Sequence, residues 1–401
     1  MYRHHSSLPH NTGLKSLFES FKHTELSGSL TALYSNRILQ QVGGGLIGMF
    51  FPIMLYKVFG YDFYKVCLYY LASWSIWVVT IPIGAKMMSK LGMKFSMMLS
   101  VVVGWGWYFA AREFEMSSVW LWLGLVILSV NLYRMLYWVP YHTDFAKFSN
   151  KKTRGKQLAF LAAIASIVSI FIPMVSGFII TAYGYSVLYI LAVLIFVLSI
   201  IPLFLIPNVK ENYTYGYWRT YKELFRKSHR GLLLSYGADG MQSMVGVIVW
   251  PIFIWMLLNQ SYQAVGIWSS LIVLVSVVAQ LIMGDLADKY DKRKLMKLGT
   301  ILNSIGWMIK IFVATGFQIF IASSYHSFAT IVMRTPFDAL MYDQAADSGH
   351  YVDEYTVLRE LALTLGRLLM LGLIAFSFFV TGSLIGAFFL AALAALIINA
   401  L

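Results

Sequence analysis

The chain alternates between apolar runs of 18 or more residues and short polar connectors, with little between these extremes. Runs of that length match the ~20 residues an α-helix needs to cross the ~30 Å hydrocarbon core of a bilayer. Twelve such segments are predicted: 29–57, 64–88, 94–112, 117–145, 157–181, 185–206, 231–258, 262–287, 295–315, 317–344, 354–380 and 382–401. Each reads as a helix, because a helix satisfies its own backbone groups where no water can. The reading is an all-α integral membrane protein. Residues 1–28 form a polar tail, 29–206 a first six-helix unit, 207–230 a linker and 231–401 a second six-helix unit. The linker is basic. Tyr217, Trp218, Tyr221, Leu224 and Phe225 give it an apolar face suited to the membrane interface, although a plain solvated linker has the same composition.

Composition supports this class. Apolar residues make up 59% of the 401 residues and charged residues only 12%, against roughly a quarter charged in soluble domains. The net charge of +13 does not signal nucleic acid, because the basic residues sit in connectors. Lys86, Lys90 and Lys94 follow segment 2; Lys147, Lys151, Lys152, Arg154 and Lys156 follow segment 4. Similar groups follow segments 6 and 8, while the alternate connectors hold only Lys57, Lys65 and Arg112. By the positive-inside rule both termini are expected in the cytoplasm, in the cell membrane. Cys67 is the single cysteine, so no disulfide framework or thiolate metal site is expected. No phosphate-binding loop, His-Glu-x-x-His or Gly-x-Ser-x-Gly pattern occurs, so neither enzymatic activity nor a cofactor is expected.

Seven charges lie inside the apolar segments: Arg37, Arg134, Asp239, Lys310, Arg334, Asp338 and Arg367. Each costs about 2.5–3.5 kcal/mol at mid-bilayer, so such residues face an interior or a cavity. Thr330, Arg334, Asp338 and Tyr342 recur every four residues, which puts them on one helical face. Asn131, Arg134, Trp138 and His142 form a similar stripe, and Asn36, Arg37, Gln40 and Gln41 cluster in segment 1. Intrahelical or cross-helix ion pairs such as Arg334–Asp338 and Arg37–Asp239 are the structural alternative for the same residues. Lys310 and Arg367 read as structural, and His142 and His326 as satisfied helix residues. Three arginines against two aspartates favour an anionic or zwitterionic solute. The predicted solute contacts are Arg37, Gln41, Arg134, Trp138, Arg334 and Asp338, walled by Tyr133, Tyr137, Tyr236 and Trp250, with Asp239 and Asp338 as proton carriers.

The connector Gly284-Asp-Leu-Ala-Asp288-Lys289-Tyr-Asp291-Lys292-Arg293-Lys294 resembles the signature loop of the major facilitator superfamily. A degenerate copy stands at Ala85-Lys-Met-Met-Ser89-Lys90-Leu-Gly92-Met-Lys94, 199 positions upstream. Pro52 and Pro251 repeat the 199 offset, and Pro140 and Pro336 stand 196 apart. Three landmarks agreeing this closely point to a duplicated unit, the parallel-repeat arrangement of such transporters. The resemblance implies a cavity lined by helices 1, 4, 7 and 10, which carry Arg37, Arg134, Asp239, Arg334 and Asp338. It also implies a cytoplasmic gate: Asp288 beside Arg154 and Lys156, Lys289 on Asp343, Lys90 on Asp144, with Gly284 and Arg293 completing the loop. Ser89 replaces an acidic residue and weakens one of the two latches. The function implied is secondary transport of a small solute by alternating access, coupled to protons, by a monomer in the lipid bilayer. A lipid flippase or drug exporter on the same fold, or a non-transporting scaffold or sensor, are the alternatives. An apolar slot between helices 5 and 8 would favour the lipid reading, and a collapsed cavity the scaffold.

Overall fold

The computed structural model describes residues 28–116, 119–148, 154–210, 213–287, 291–347 and 352–400, without the side chains of 30, 114–119, 139–163, 281–287, 339, 341–347 and 352–353. Among the described residues all regular structure is helical. The first apolar segment becomes two helices, α1 (Gly28–Gly48) and α2 (Phe51–Val58). The break falls just before Pro52, in the first turn of α2, where a missing N–H costs nothing. Helix α3 (Phe63–Leu91) starts at Asp62, whose carboxylate accepts the N–H groups of Tyr64 (2.9 Å) and Lys65 (3.3 Å), a regular N-cap. Then come α4 (Met93–Met116) and α5 (Val119–Phe148).

Helix α6 (Arg154–Leu198) covers two predicted segments and breaks at Gly184, whose φ of +78° is left-handed and suits a residue without a Cβ. After α7 (Ile200–Leu203) and the linker helix α8 (Tyr217–Leu224), the chain forms α9 (Arg230–Met244). A widened turn at Val245–Val249 leads into α10 (Trp250–Leu257), with Pro251 in its first turn. Pro52 and Pro251 therefore mark the same kind of interruption, as their common offset predicts. The chain closes with α11 (Tyr262–Ala287), α12 (Lys292–Ile309), α13 (Gly316–Asp347), α14 (Val352–Thr381) and α15 (Ile385–Ile397). Asp291 caps α12 by accepting the N–H of Lys294 at 2.9 Å.

Seven stretches among the described residues are long and apolar enough to cross a membrane. One of them, Ile164–Leu203, has 40 residues; at 1.5 Å per residue that is about 60 Å, twice a bilayer core, and Gly184 divides it. The outer faces are apolar. On α6, Ile167, Phe171, Val175 and Phe178 are exposed at helical spacing, as are Leu121, Leu125 and Leu128 on α5. Apolar faces of that extent need lipid. The protein is an integral, multi-pass membrane protein.

The earlier and later helices meet chiefly through two pairs, α6 with α11 and α3 with α14. In the first pair the backbones touch. A Cβ on Gly177 would strike the Tyr262 carbonyl, and one on Gly266 the Pro173 carbonyl. Small residues permit such close approach between membrane helices. The linker docks on protein. Tyr221 Oη–H donates to the Val78 carbonyl at 2.9 Å, an acceptor that Pro82 leaves without its usual N–H partner. Tyr217 bonds the Val79 carbonyl at 3.1 Å and Leu224 is buried, while Trp218 and Phe225 stay exposed. Upstream, the Tyr213 N–H donates to Ser89 Oγ (3.0 Å), and Glu354, itself buried, accepts from the N–H (3.1 Å) and Oγ1–H (2.6 Å) of Thr214. The serine that stands where an acid is expected thus holds the linker.

Candidate functional site

One end of the bundle is shut. Tyr262, at the start of α11, packs its ring against Phe50, Tyr185 and Trp255, with ring centres 5.6–6.1 Å apart. Phe378 of α14 meets Phe63 and Tyr64 of α3 at 5.1 and 5.3 Å. Toward the other end lies a cavity of about 440 Å³. Its walls come from α6 (Ser166, Ser169), α11 (Val273, Ser276, Val277, Gln280) and α13 (His326 to Asp338). The α13 stripe predicted from four-residue spacing is on this wall, with Thr330, Arg334 and Asp338 all lining it.

Arg334 carries the dominant electrostatic contact. Its Nη2 donates to Asp239 Oδ1 of α9 at 2.6 Å, and Gln242 Nε2, one turn on, approaches the same oxygen at 3.4 Å. The Asp239 side chain is 8% exposed and that of Arg334 43%, so the acid is sealed inside while the guanidinium opens onto the cavity. The partner of Asp239 is thus Arg334, not the Arg37 considered in the sequence. Among the described residues no ion pair joins Arg334 to Asp338.

The other predicted contacts fall apart from this wall. Gln41 of α1 donates to Ser169 Oγ at 2.7 Å and so supports the cavity from behind. Arg37 lies over the Trp138 ring, 4.9 Å from its centre. Arg134 lies on Trp74 at 3.9 Å and donates to Ser73 Oγ at 3.2 Å; Arg367 of α14 lies over Trp74 at 4.3 Å. Trp74 is therefore a shared platform for two cations from distant parts of the chain. Neither Arg37 nor Arg134 lines the cavity, and its described walls are helices 5, 8 and 10 of the predicted twelve, not 1, 4, 7 and 10. Tyr133 and Tyr137 stack on each other and bond Gln40 and Asn36. Tyr236 packs on Phe337, and Trp250 on Phe253 and Phe388.

Of the expected gate, Lys90 and Arg293 are exposed. Asp288 and Lys289, and the side chains of Asp144 and Asp343, lie outside the described residues, as do the surroundings of Gly284 within α11. Sequence reasoning missed Ser166, Ser169, Ser276, Gln280 and His326. Their spacing was a usable signal: Ser166–Ser169 and Ser276–Gln280 keep helical intervals, and His326 stands one turn before Thr330 on the same stripe.

No protein-family model matches the chain. A Bacillus subtilis (strain 168) protein, YqgE, described as uncharacterized, is 22% identical over 347 residues, covering 82% of this chain and 78% of its own. Among solved structures, the Escherichia coli fucose:proton symporter FucP superposes with a TM-score of 0.61 at 14% identity, over 92% of this chain and 96% of that one. FucP in the outward conformation, described as a major facilitator superfamily transporter, gives 0.63 at 13% identity over the same shares. The similarity runs over nearly the whole of both chains. This chain is built on the major facilitator superfamily fold.

Proposed function

We propose that the protein is a secondary active transporter that moves a small organic solute by alternating access, coupled to protons. The observation that carries this reading is the polar cavity of about 440 Å³ with Arg334 on its wall, closed at one end by the Tyr262 and Phe378 ring clusters. Its volume is in the range of small-molecule sites. Twelve spans, both termini cytoplasmic, halves at 29–206 and 231–401 joined by the 207–230 linker, a cell-membrane location and a monomeric state belong to the same proposal.

The wall offers one guanidinium and, a turn away, one carboxylate, with Asp239 already engaged. A zwitterion satisfies both, its carboxylate on Arg334 and its ammonium on Asp338. A plain anion is repelled by an ionised Asp338, so its binding goes with a proton on that carboxyl. Asp338 is accordingly the first choice for the proton carrier, ahead of the ion-paired Asp239. A neutral polyol is the second reading: Ser166, Ser169, Ser276, Gln280, Thr330 and Thr335 surround the space with hydroxyl and amide groups, and the fold neighbour is named as a fucose:proton symporter. The lipid reading asked for an apolar slot between helices 5 and 8, where the backbones at Gly177 and Gly266 are in contact.

The test is a flux screen in liposomes carrying an internal pH-sensitive dye, with amino acids, carboxylates and sugars including fucose outside. A solute that drives proton entry with wild type, and fails with Arg334→Gln, is the expected result. If no solute does so, or Arg334→Gln and Asp338→Asn both behave as wild type, the reading is wrong.

A further inference from the structure

Lys310 is 4% exposed although it sits beside the apolar end of α12. Among the described residues it has no carboxylate partner. Its Nζ lies 4.3 Å from the ring centres of both Trp250 and Trp307 and 2.8 Å from Nδ1 of His326. The imidazole packs over Gly306, where a Cβ would meet its Cδ2 at 2.7 Å, and faces Trp307 at 4.3 Å. His326 also lines the cavity, and its buried Nε2 has no partner.

We propose that Lys310 and His326 form a proton-loading site of the cavity, in addition to Asp338. This assignment rests on the transport reading above. In the loaded state the Lys310 ammonium donates to Nδ1 of a neutral imidazole protonated on Nε2, and the pair carries one positive charge. On unloading, a proton passes from Nζ to Nδ1 while the Nε2 proton leaves into the cavity. The hydrogen bond survives with its direction reversed and the pair is neutral. Release relieves the cost of a desolvated ammonium that no carboxylate offsets.

The surrounding helices supply few other charges. From α13 come Tyr325, Arg334 and Asp338, the last two on the His326 stripe two and three turns away. From α9 comes Asp239, linked through Gln242, which accepts from Trp307 Nε1 at 3.1 Å. Helix α15 has no titratable residue, α11 from Gln263 to Gln280 has none, and α6 along Ser166–Ser169 has none. A change of one charge on the pair is therefore felt by Arg334 and Asp338 at the solute site.

Tryptophan fluorescence of the purified protein in detergent, titrated from about pH 5 to about pH 10, reads this pair, because the cation lies between two indoles. The expected result is one transition whose amplitude falls at least about twofold in Trp250→Phe. It persists in Asp338→Asn and is absent in Lys310→Gln and His326→Gln. Lys310→Arg keeps a cation in the cage but cannot release its proton in this range, so it removes the transition in a protein that still folds. A transition unchanged in Lys310→Arg or His326→Gln overturns the assignment. In liposomes, for a solute that moves protons with wild type, Lys310→Arg, at a position that does not line the cavity, should retain solute exchange and lower the protons moved per solute about twofold, Asp338 still carrying its own; an unchanged ratio overturns it too. If no solute moves protons in any variant, the transport reading falls while the fluorescence titration still decides the pair.

Discussion

Breaking the Asp239–Arg334 pair should cost different amounts depending on which partner is removed. At 2.6 Å the gross attraction is about 6 kcal/mol at an effective dielectric constant of about 20, most of it offset by desolvation. Arg334→Gln leaves the carboxylate of Asp239 in a site 8% exposed, with Gln242 at 3.4 Å as its remaining polar neighbour. An uncompensated buried charge costs about 3–5 kcal/mol. Asp239→Asn instead leaves a guanidinium that is 43% exposed to the cavity and can be hydrated there. Only a charge-assisted hydrogen bond is weakened, worth about 1.5–3 kcal/mol. The double variant removes both charges and should cost less than Arg334→Gln alone, with a coupling energy above about 1 kcal/mol. Unfolding free energies in mixed micelles, titrated with a denaturing detergent and followed by circular dichroism, give all three values. Asp239→Asn as the costlier single change, or two costs that simply add, would refute this asymmetry.

Three further outcomes follow from the packing. Gly177→Val drives a side chain into the Tyr262 carbonyl and should lower the unfolding free energy by about 1–3 kcal/mol; Gly372→Ala, mid-helix and where a Cβ meets nothing, should raise it by up to about 1 kcal/mol in the same assay. Trp74→Leu removes the platform beneath Arg134 and Arg367 and should cost about 2–4 kcal/mol, with a smaller effect when Arg367→Met is already present. Glu354→Gln weakens the two bonds that tie down Thr214, by about 1.5–3 kcal/mol; trypsin should then cut the linker at Arg219, Lys222 or Arg226 several-fold faster than in wild type, and an unchanged rate would show the strap is held elsewhere.

The helices were legible because hydrocarbon imposes a length and a polarity on anything that crosses it. Among the described residues the predicted segments fall on helical structure, seven stretches of it long and apolar enough to cross a membrane, and Asp62, Gly184 and Asp291 end or start helices where their chemistry says they should. The α13 stripe was legible too, since four-residue spacing places Arg334 and Asp338 on one face whatever that face meets. Which face meets what was not. Arg37 and Arg134 share the depth and residue type of Arg334, yet they lie on Trp138 and Trp74 while Arg334 opens on the cavity. Lys310 and His326, 16 positions apart, looked like unrelated helix residues until α12 and α13 packed them 2.8 Å apart.

By itself, then, the sequence determined the membrane class, the helical segments, the duplicated proline landmarks and the rule that buried charges face inward. Those depend on composition and on periodicity along one chain. Only the tertiary structure decided that Asp239 belongs to Arg334, that Glu354 and Ser89 hold the linker, and that the described walls of the cavity come from helices 5, 8 and 10. The rotation of each helix about its axis and its choice of neighbour come from side-chain packing between distant segments, and a linear pattern does not encode them.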